Sequence, residues 1–212
     1  MKLINKNIVL LANGEFPTNK IAINYINKAD LIVCCDGAAN TAIKKGYNPD
    51  YIIGDFDSVN KDICNNSELI HISDQNENDL RKSIHWIEQN GGKEIVILGA
   101  TGKRDDPTLG NIFSLLNEKF NIKLKIITDF GQFMQIKKKK TFNTFVKQPI
   151  SFFTNSPKTK ITAENLKYPL KNTQFNNLYQ GSLNLASSST LNVNIKGGVA
   201  IIYLAHKSIY HE

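Results

Sequence analysis

The sequence predicts an α/β protein in two parts. Residues 1–130 read as a Rossmann-like, three-layer domain around a parallel sheet, and residues 131–212 as a small antiparallel all-β sandwich. Three observations predict this. Up to about residue 128, short aliphatic runs alternate with helical patterns, the rhythm of strand–helix–strand units whose sheet is covered on both faces. Near residues 128–132 that rhythm stops, and short β-prone segments follow, separated by Lys, Asn, Ser, Gly and Pro clusters. In the first part, four strand ends carry acidic or glycine-rich turns, which parallel strands would bring to one edge of the sheet.

The elements follow in order. Residues 7–12 are an apolar run closed by Asn13-Gly14-Glu15. Residues 18–27 read as a helix with Thr18 as N-cap and Ile21, Tyr25 and Ile26 on its apolar side. The second strand, Leu31 to Cys35, runs into Asp36-Gly37, and a short helix at residues 38–45 is closed by Gly46. Tyr51-Ile52-Ile53 is the third strand and delivers Gly54-Asp55-Phe56-Asp57-Ser58. Residues 69–72 form a fourth strand that leads to Asp74, and residues 77–89 a helix stopped by Asn90-Gly91-Gly92. Residues 94–98 are the fifth strand, followed by Gly99-Ala100-Thr101-Gly102. Pro107 suits the first turn of a helix running to residue 119, and residues 124–128 are the sixth strand. The second part holds strands at residues 133–136, 141–146, 150–153, 191–195 and 199–204.

Composition narrows the function. The chain has 212 residues, 41% of them hydrophobic, enough for a real core. No apolar run reaches the ~18 residues a membrane helix needs, and residues 8–12 are too short for a signal-peptide core. A cytoplasmic protein without membrane contact is expected. Cys34, Cys35 and Cys64 are an odd number at no metal-ligand spacing and read as buried, reduced filler. The formal charge is +7, partly from the run Lys137 to Lys140. That run has no aromatic platform around it and reads as a solvated turn, so nucleic acid is not expected as a partner. Positive charge would still draw in a small polyanion such as a nucleoside triphosphate. His71, His85, His206 and His211 show no metal spacing, and no Ser-His-Asp set can be assembled.

The chemistry gathers at the strand ends. Asp55 and Asp57, spaced i, i+2, repel one another, and a divalent cation relieves that repulsion. A polar turn alone would also account for them. Asp74 and Asp79 come next. Asp79 stands in a first helical turn, which suits a carboxylate, and Lys82 lies three residues on along the same face, able to reach a phosphate. The turn at residues 99–106 offers backbone N–H groups and the planar donors of Arg104. Asp36 is either a cap or a ribose partner. Acids, one Arg, one Lys and glycine turns suit metal-assisted phosphoryl transfer better than acyl transfer.

These pieces together resemble one family, thiamine pyrophosphokinase. Asp36-Gly37-Ala38-Ala39-Asn40 is similar to its Asp-Gly-Gly-Ala-Asn turn, and residues 49–58 match its most recognisable block. Asp74-Gln75 with Asp79 and Lys82 matches the next block. Residues 99–104 with Asp106 and Asn111 follow Gly-Ala-Thr-Gly-Gly-Arg-x-Asp-His-x-x-x-Asn, except that Lys103 stands for a glycine and Pro107 for the His. Residues 166–170 and 181–184 resemble two motifs of the second domain, with Asn165 and Leu183 as departures. The likeness spans nearly the whole chain.

The resemblance implies pyrophosphoryl transfer from ATP to the thiamine hydroxyl, with AMP as the other product. It implies Mg²⁺ held by Asp55, Asp57, Asp74 and Asp79, catalytic roles for Asp57, Asp79, Lys82 and Arg104, and Asp57 or Asp79 as proton acceptor. The nucleotide end would be lined by Asn13, Gly14, Asp36, Gly37, Asn40, Gly102, Arg104, Asp106 and Asn111. Thiamine would be held by Tyr168, Ser182 and Asn184. A homodimer with active sites at the subunit interface is implied as well. The alternative is a related pyrophosphokinase acting on another alcohol, such as a hydroxymethylpterin.

Overall fold

The computed structural model describes residues 3–60, 62, 64, 66–116 and 120–207. The chain divides into two compact units, one of Met1–Ser114 with Phe120–Asp129, the other of Leu115–Lys119 with Phe130–Glu212.

The first unit is built on six parallel strands: β1 (Ile8–Leu11), β2 (Leu31–Cys35), β3 (Tyr51–Gly54), β4 (Glu68–His71), β5 (Glu94–Leu98) and β6 (Lys123–Ile127). They lie side by side in the order β6-β5-β1-β2-β3-β4. The chain thus steps outward from β1 to β4, then returns to the far side of β1, so the order reverses between β1 and β5. The helices are α1 (Lys20–Asn27), α2 (Ala38–Lys44), α3 (Asp79–Gln89) and α4 (Asp105–Phe113). Val9, Leu11, Cys34, Ile52, Val96 and Leu98 pack with Ala22 and Ile26 of α1 and Ala38, Ala39 and Ala42 of α2. Small residues on these helices let them sit close to the sheet. Helix α3 rests on β2 and β3 and buries Leu80, Ile84 and Ile87, an i, i+4, i+7 stripe. Each such side chain contributes ~1.5–3 kcal/mol by leaving water.

The helix ends differ from the sequence reading. Helix α1 is capped by Asn19, whose side chain accepts from the Ile21 N–H at 2.8 Å. Thr18 instead donates its backbone N–H to the Asp129 carboxylate at 3.0 Å. Helix α3 begins at Asp79 behind the cap Asn78, two residues later than expected. Helix α4 begins at Asp105 and gives way to a 3₁₀ turn, Ser114–Leu116, in which Leu115 and Leu116 are buried. The remainder of the expected helix, residues 117–119, lies outside the described residues, as does His211.

The second unit is a sandwich of two antiparallel sheets. One is β12-β9-β14-β7, made of β7 (Gly131–Ile136), β9 (Pro149–Phe153), β12 (Asn184–Leu185) and β14 (Ala200–Ala205). The other is β11-β10-β13-β8, made of β8 (Lys140–Asn143), β10 (Lys160–Glu164), β11 (Leu170–Thr173) and β13 (Thr190–Lys196). Their inner faces share one core: Ile150, Phe152, Ile202 and Leu204 from the first sheet meet Ile161, Leu191, Val193 and Ile195 from the second. The α/β class with its parallel and antiparallel parts is as the sequence predicts, although β10, β11 and β12 are additional strands. Among the described residues no helix is long and apolar enough to cross a membrane.

Candidate active site

The site is built at the carboxyl ends of the first unit's strands. After β1 and β5, either side of the reversal, two turns are joined backbone to backbone. Ala12 N donates to Leu98 O at 2.8 Å, Gly14 N to Gly99 O at 2.7 Å and Glu15 N to Thr101 O at 2.8 Å. A Cβ on Gly14 would lie 2.4 Å from both the Gly99 and Thr101 oxygens, so only glycine fits there. Beside these turns is a cavity of about 380 Å³ lined by Asn13, Gly14, Gly102, Arg104, Asn111 and Asp79 among others. A crevice at such a reversal is where open α/β sheets bind ligands.

Next to the cavity, the ends of β2 and β3 bring three carboxylates together. Asp36, Asp55 and Asp57 each place an oxygen within 4.8 Å of the others. Asp36 is 2% exposed; its Oδ2 accepts from the Ser58 N–H at 3.1 Å, and its buried Oδ1 has no hydrogen-bond partner. Burial pushes its carboxyl up to about 6, the Ser58 bond works against that, and the neighbouring Asp57 and Asp79 add to the rise. Asp55 is held below the usual range, first by a bond from Gln75 and then by the Asp57 N–H, with Lys82 adding to it. Ser58 Oγ donates to Asp57 at 2.6 Å. Oxygens at this spacing, one of them buried and unpartnered, fit a hard divalent cation.

Asp79 closes the acidic edge. Gly54 separates it from Asp36: a Cβ on Gly54 would lie 2.8 Å from Asp36 Cβ and 3.4 Å from Asp79 Cγ. Lys82, one turn along α3 and 5% exposed, pairs with Asp79 at 3.0 Å. Asp74 is not one of the three; its Oδ1 accepts from the Asn76 N–H at 2.8 Å and from the Asn76 side chain at 2.9 Å, and Gln75 beside it donates to Asp55 at 3.2 Å.

The other first-unit residues singled out by the sequence hold the turns in place. Asn40 donates to Ser58 O and accepts from Asn60 N, each at 2.8 Å. A Cβ on Gly37 would lie 2.6 Å from the Asn13 side chain and 3.3 Å from Ser58 Cβ, so glycine lets three turns meet. Asn111 is buried and donates to Ala100 O at 2.9 Å. Arg104 and Asp106 form a two-point ion pair at 3.0 and 2.7 Å, and both are exposed. Lys103, Asn78, Thr108 and Cys35 also line the cavity, and the sequence assigns none of them a place in the site: Lys103 stands out only as a departure from a glycine and Cys35 only as buried filler. Burial pushes the Cys35 thiol up to about 12, so it is a neutral part of the wall.

In the second unit, Asn184 is buried and its side chain is committed to Tyr168: Oδ1 accepts from Tyr168 N at 3.1 Å and Nδ2 donates to Tyr168 O at 2.7 Å. The Tyr168 ring stands 59% exposed, with the Lys167 ammonium 5.3 Å from its centroid. Ser182 Oγ donates to Tyr179 O at 2.6 Å, and Leu183 beside it is 86% exposed.

Two family models match this chain. The thiamin pyrophosphokinase catalytic domain matches residues 22–126, and the thiamin pyrophosphokinase substrate-binding domain matches residues 131–203. The chain belongs to the thiamin pyrophosphokinase family. This is a family of enzymes, and its catalytic match takes in Asp36, Asp55, Asp57, Asp79, Lys82 and Arg104. Its substrate-binding match takes in Tyr168, Ser182 and Asn184.

Among similar proteins, thiamin pyrophosphokinase 1 of Caenorhabditis elegans is 38% identical over 121 residues, 51% of this chain and 49% of that protein. That alignment therefore spans about half of the relative's length. Thiamine pyrophosphokinase 1 of Oryza sativa subsp. japonica is 27% identical over 198 residues, 78% of this chain and 74% of that protein. Solved thiamin pyrophosphokinases share the fold. The Candida albicans structure has a TM-score of 0.79 at 23% identity and covers 93% of this chain and 89% of its own. The Bacillus subtilis structure has a TM-score of 0.76 at 21% identity and covers 94% and 99%.

Proposed function

We propose that this chain transfers the pyrophosphoryl group of ATP to the hydroxyl of thiamine, giving thiamine diphosphate and AMP. The observation that carries the reading is the buried, unpartnered Oδ1 of Asp36 in a trio with Asp55 and Asp57, beside a glycine-lined crevice. Asp36, Asp55 and Asp57 would hold Mg²⁺, with Asp79 on the same edge and Asp74 beyond it. When bound, the ion would neutralise the triphosphate and make its β-phosphorus more electrophilic.

The chain's own residues supply the rest. Asn13, Gly14, Gly37, Asn40, Gly102 and Asn111 shape the nucleotide end. Lys82 and Arg104 stabilise charge that builds on the phosphate oxygens. Arg104 must exchange Asp106 for phosphate, and an exposed pair of this kind is held by only ~0–1 kcal/mol, so the exchange is cheap. The bond formed joins the thiamine oxygen to the β-phosphorus, and the bond broken lies between the α- and β-phosphates. Asp57 or Asp79 takes the hydroxyl proton, and AMP leaves.

The thiamine end is assigned to the second unit, where the exposed Tyr168 ring, positioned by Asn184, would stack on the cationic thiazolium and Ser182 would add a hydroxyl. Working partners are then ATP and thiamine, in the cytoplasm, with neither nucleic acid nor membrane involved.

The deciding assay is AMP formation from Mg-ATP. Wild-type protein should release AMP only when thiamine is present, and Tyr168→Ala should raise the thiamine KM ~10-fold while the ATP KM stays within ~2-fold. AMP release with a hydroxymethylpterin and none with thiamine would overturn the reading. A homodimer is also proposed, so light scattering should return about twice the chain mass of 23.8 kDa; a monomer at assay concentration would remove that part.

A further inference from the structure

We propose that Lys103 is a further binding residue for the polyphosphate chain, a specificity-determining cation at the mouth of the crevice. This rests on the reading that the crevice takes a nucleoside triphosphate. Lys103 occupies the left-handed region, φ +60°, directly after Gly102 at φ +79°. A residue with a Cβ adopts that conformation at some cost in backbone energy.

The turn sends that side chain back across the reversal point. Lys103 Nζ donates to Asn13 O at 3.2 Å and to Asn13 Oδ1 at 3.1 Å, reaching from the turn after β5 to the turn after β1. Its ammonium therefore stands over the gap between the two turns, and Lys103 lines the cavity.

What sets it apart from the other cations is its company. Lys82 is matched by Asp79 and Arg104 by Asp106. Lys103 rests on two neutral carbonyl oxygens, and among the described residues no carboxylate pairs with it. Glu15, whose carboxylate lies against Gly102, makes no ion pair with it either. An ammonium held by neutral acceptors keeps its charge for an arriving anion and has a third N–H to offer. Pro107, on the same wall, brings no N–H of its own. The ligand class that profits is one with several phosphates in a row, because a nucleoside monophosphate presents less charge to the gap.

Titration calorimetry with Mg-ATP, inorganic tripolyphosphate and AMP tests this on wild type, Lys103→Gly, Lys103→Met and Lys103→Arg. Lys103→Gly and Lys103→Met should bind Mg-ATP and tripolyphosphate ~10-fold more weakly, with Lys103→Arg within ~3-fold of wild type. AMP affinity should move less than ~2-fold, and the difference should shrink as salt rises. Lys103→Gly relieves the backbone, so its thermal stability should equal or exceed wild type, which separates lost affinity from lost fold. Unchanged ATP affinity in Lys103→Gly, or equal weakening of ATP and AMP, would overturn the inference in favour of a mere strap on Asn13. Wild type that binds neither ATP nor tripolyphosphate would overturn it too. Phosphate binding that depends on Lys103 without thiamine-dependent AMP release would leave this inference standing and remove the transfer reading.

Discussion

Replacing Asp57 with Asn should lower turnover ~10³-fold or more at saturating Mg²⁺, with the fold unchanged. Asn keeps the shape of the side chain and removes only its charge. Asp57 is exposed and takes a short bond from Ser58, so no core packing depends on it. The carboxyl of its neighbour Asp55 is held below the usual range by Gln75, by the Asp57 N–H and by Lys82, and Asp55→Asn should produce a loss of the same order. A factor of ~10³ corresponds to about 4 kcal/mol of transition-state stabilisation, more than a single exposed hydrogen bond supplies. Steady-state kinetics across a Mg²⁺ titration, with circular dichroism on the same samples, is the measurement. Purified variants with near-normal rates at saturating Mg²⁺ would end the metal assignment.

The second expectation joins a loss to a gain. Asp36→Asn should cut turnover ~10²-fold or more and also stabilise the metal-free protein. The Asp36 carboxyl titrates at about 6 in the fold, raised first by burial, against 3.8 ordinarily. A raised carboxyl means that the folded state prefers the proton. Its contribution to stability is therefore complete below pH 3.8 and is lost as pH climbs through about 6. With solvent screening allowed for, about 1–2 kcal/mol should disappear from wild type over that window. Melting in EDTA at pH 4.5 and 7.5 should show the loss in wild type and a flatter profile in Asp36→Asn. Added Mg²⁺ should then raise the melting temperature of wild type alone, since a ligand stabilises the state that binds it. Identical pH profiles for the two proteins would contradict this account of Asp36.

Local pattern made the first unit legible. Strands buried on both faces read as near-continuous aliphatic runs, so Ile8–Leu11 and, after the exposed Glu94, residues 95–98 stand out from the polar turns that follow them. Strand order is a different kind of fact. That Asp36 joins Asp55 and Asp57 depends on β2 lying beside β3, a pairing across about 20 residues that no periodicity records. Asp74 likewise shows in the sequence only as an acid at a strand end; that its Oδ1 accepts from Asn76 in the same turn needed the fold. In the second unit, β13 was readable from alternating Leu191, Val193 and Ile195. Strand β11, Leu-Lys-Asn-Thr, is an edge with no buried residue, and β12 has only two residues, so neither carries a hydrophobic signal. Lys103 was visible only as a departure from a glycine; its reach to Asn13 needed the fold.

The crevice floor, where the turns after β1 and β5 meet, is written almost entirely in main-chain atoms. Three amide-to-carbonyl bonds join those turns, and glycines occupy the points of closest approach. A surface made this way responds to mutation unevenly. At Gly14 even one added methyl group has nowhere to go, whereas the positions between the fixed points can exchange side chains without disturbing the platform beneath. Ligand preference can therefore drift in a lineage while the scaffold that positions the chemistry stays still.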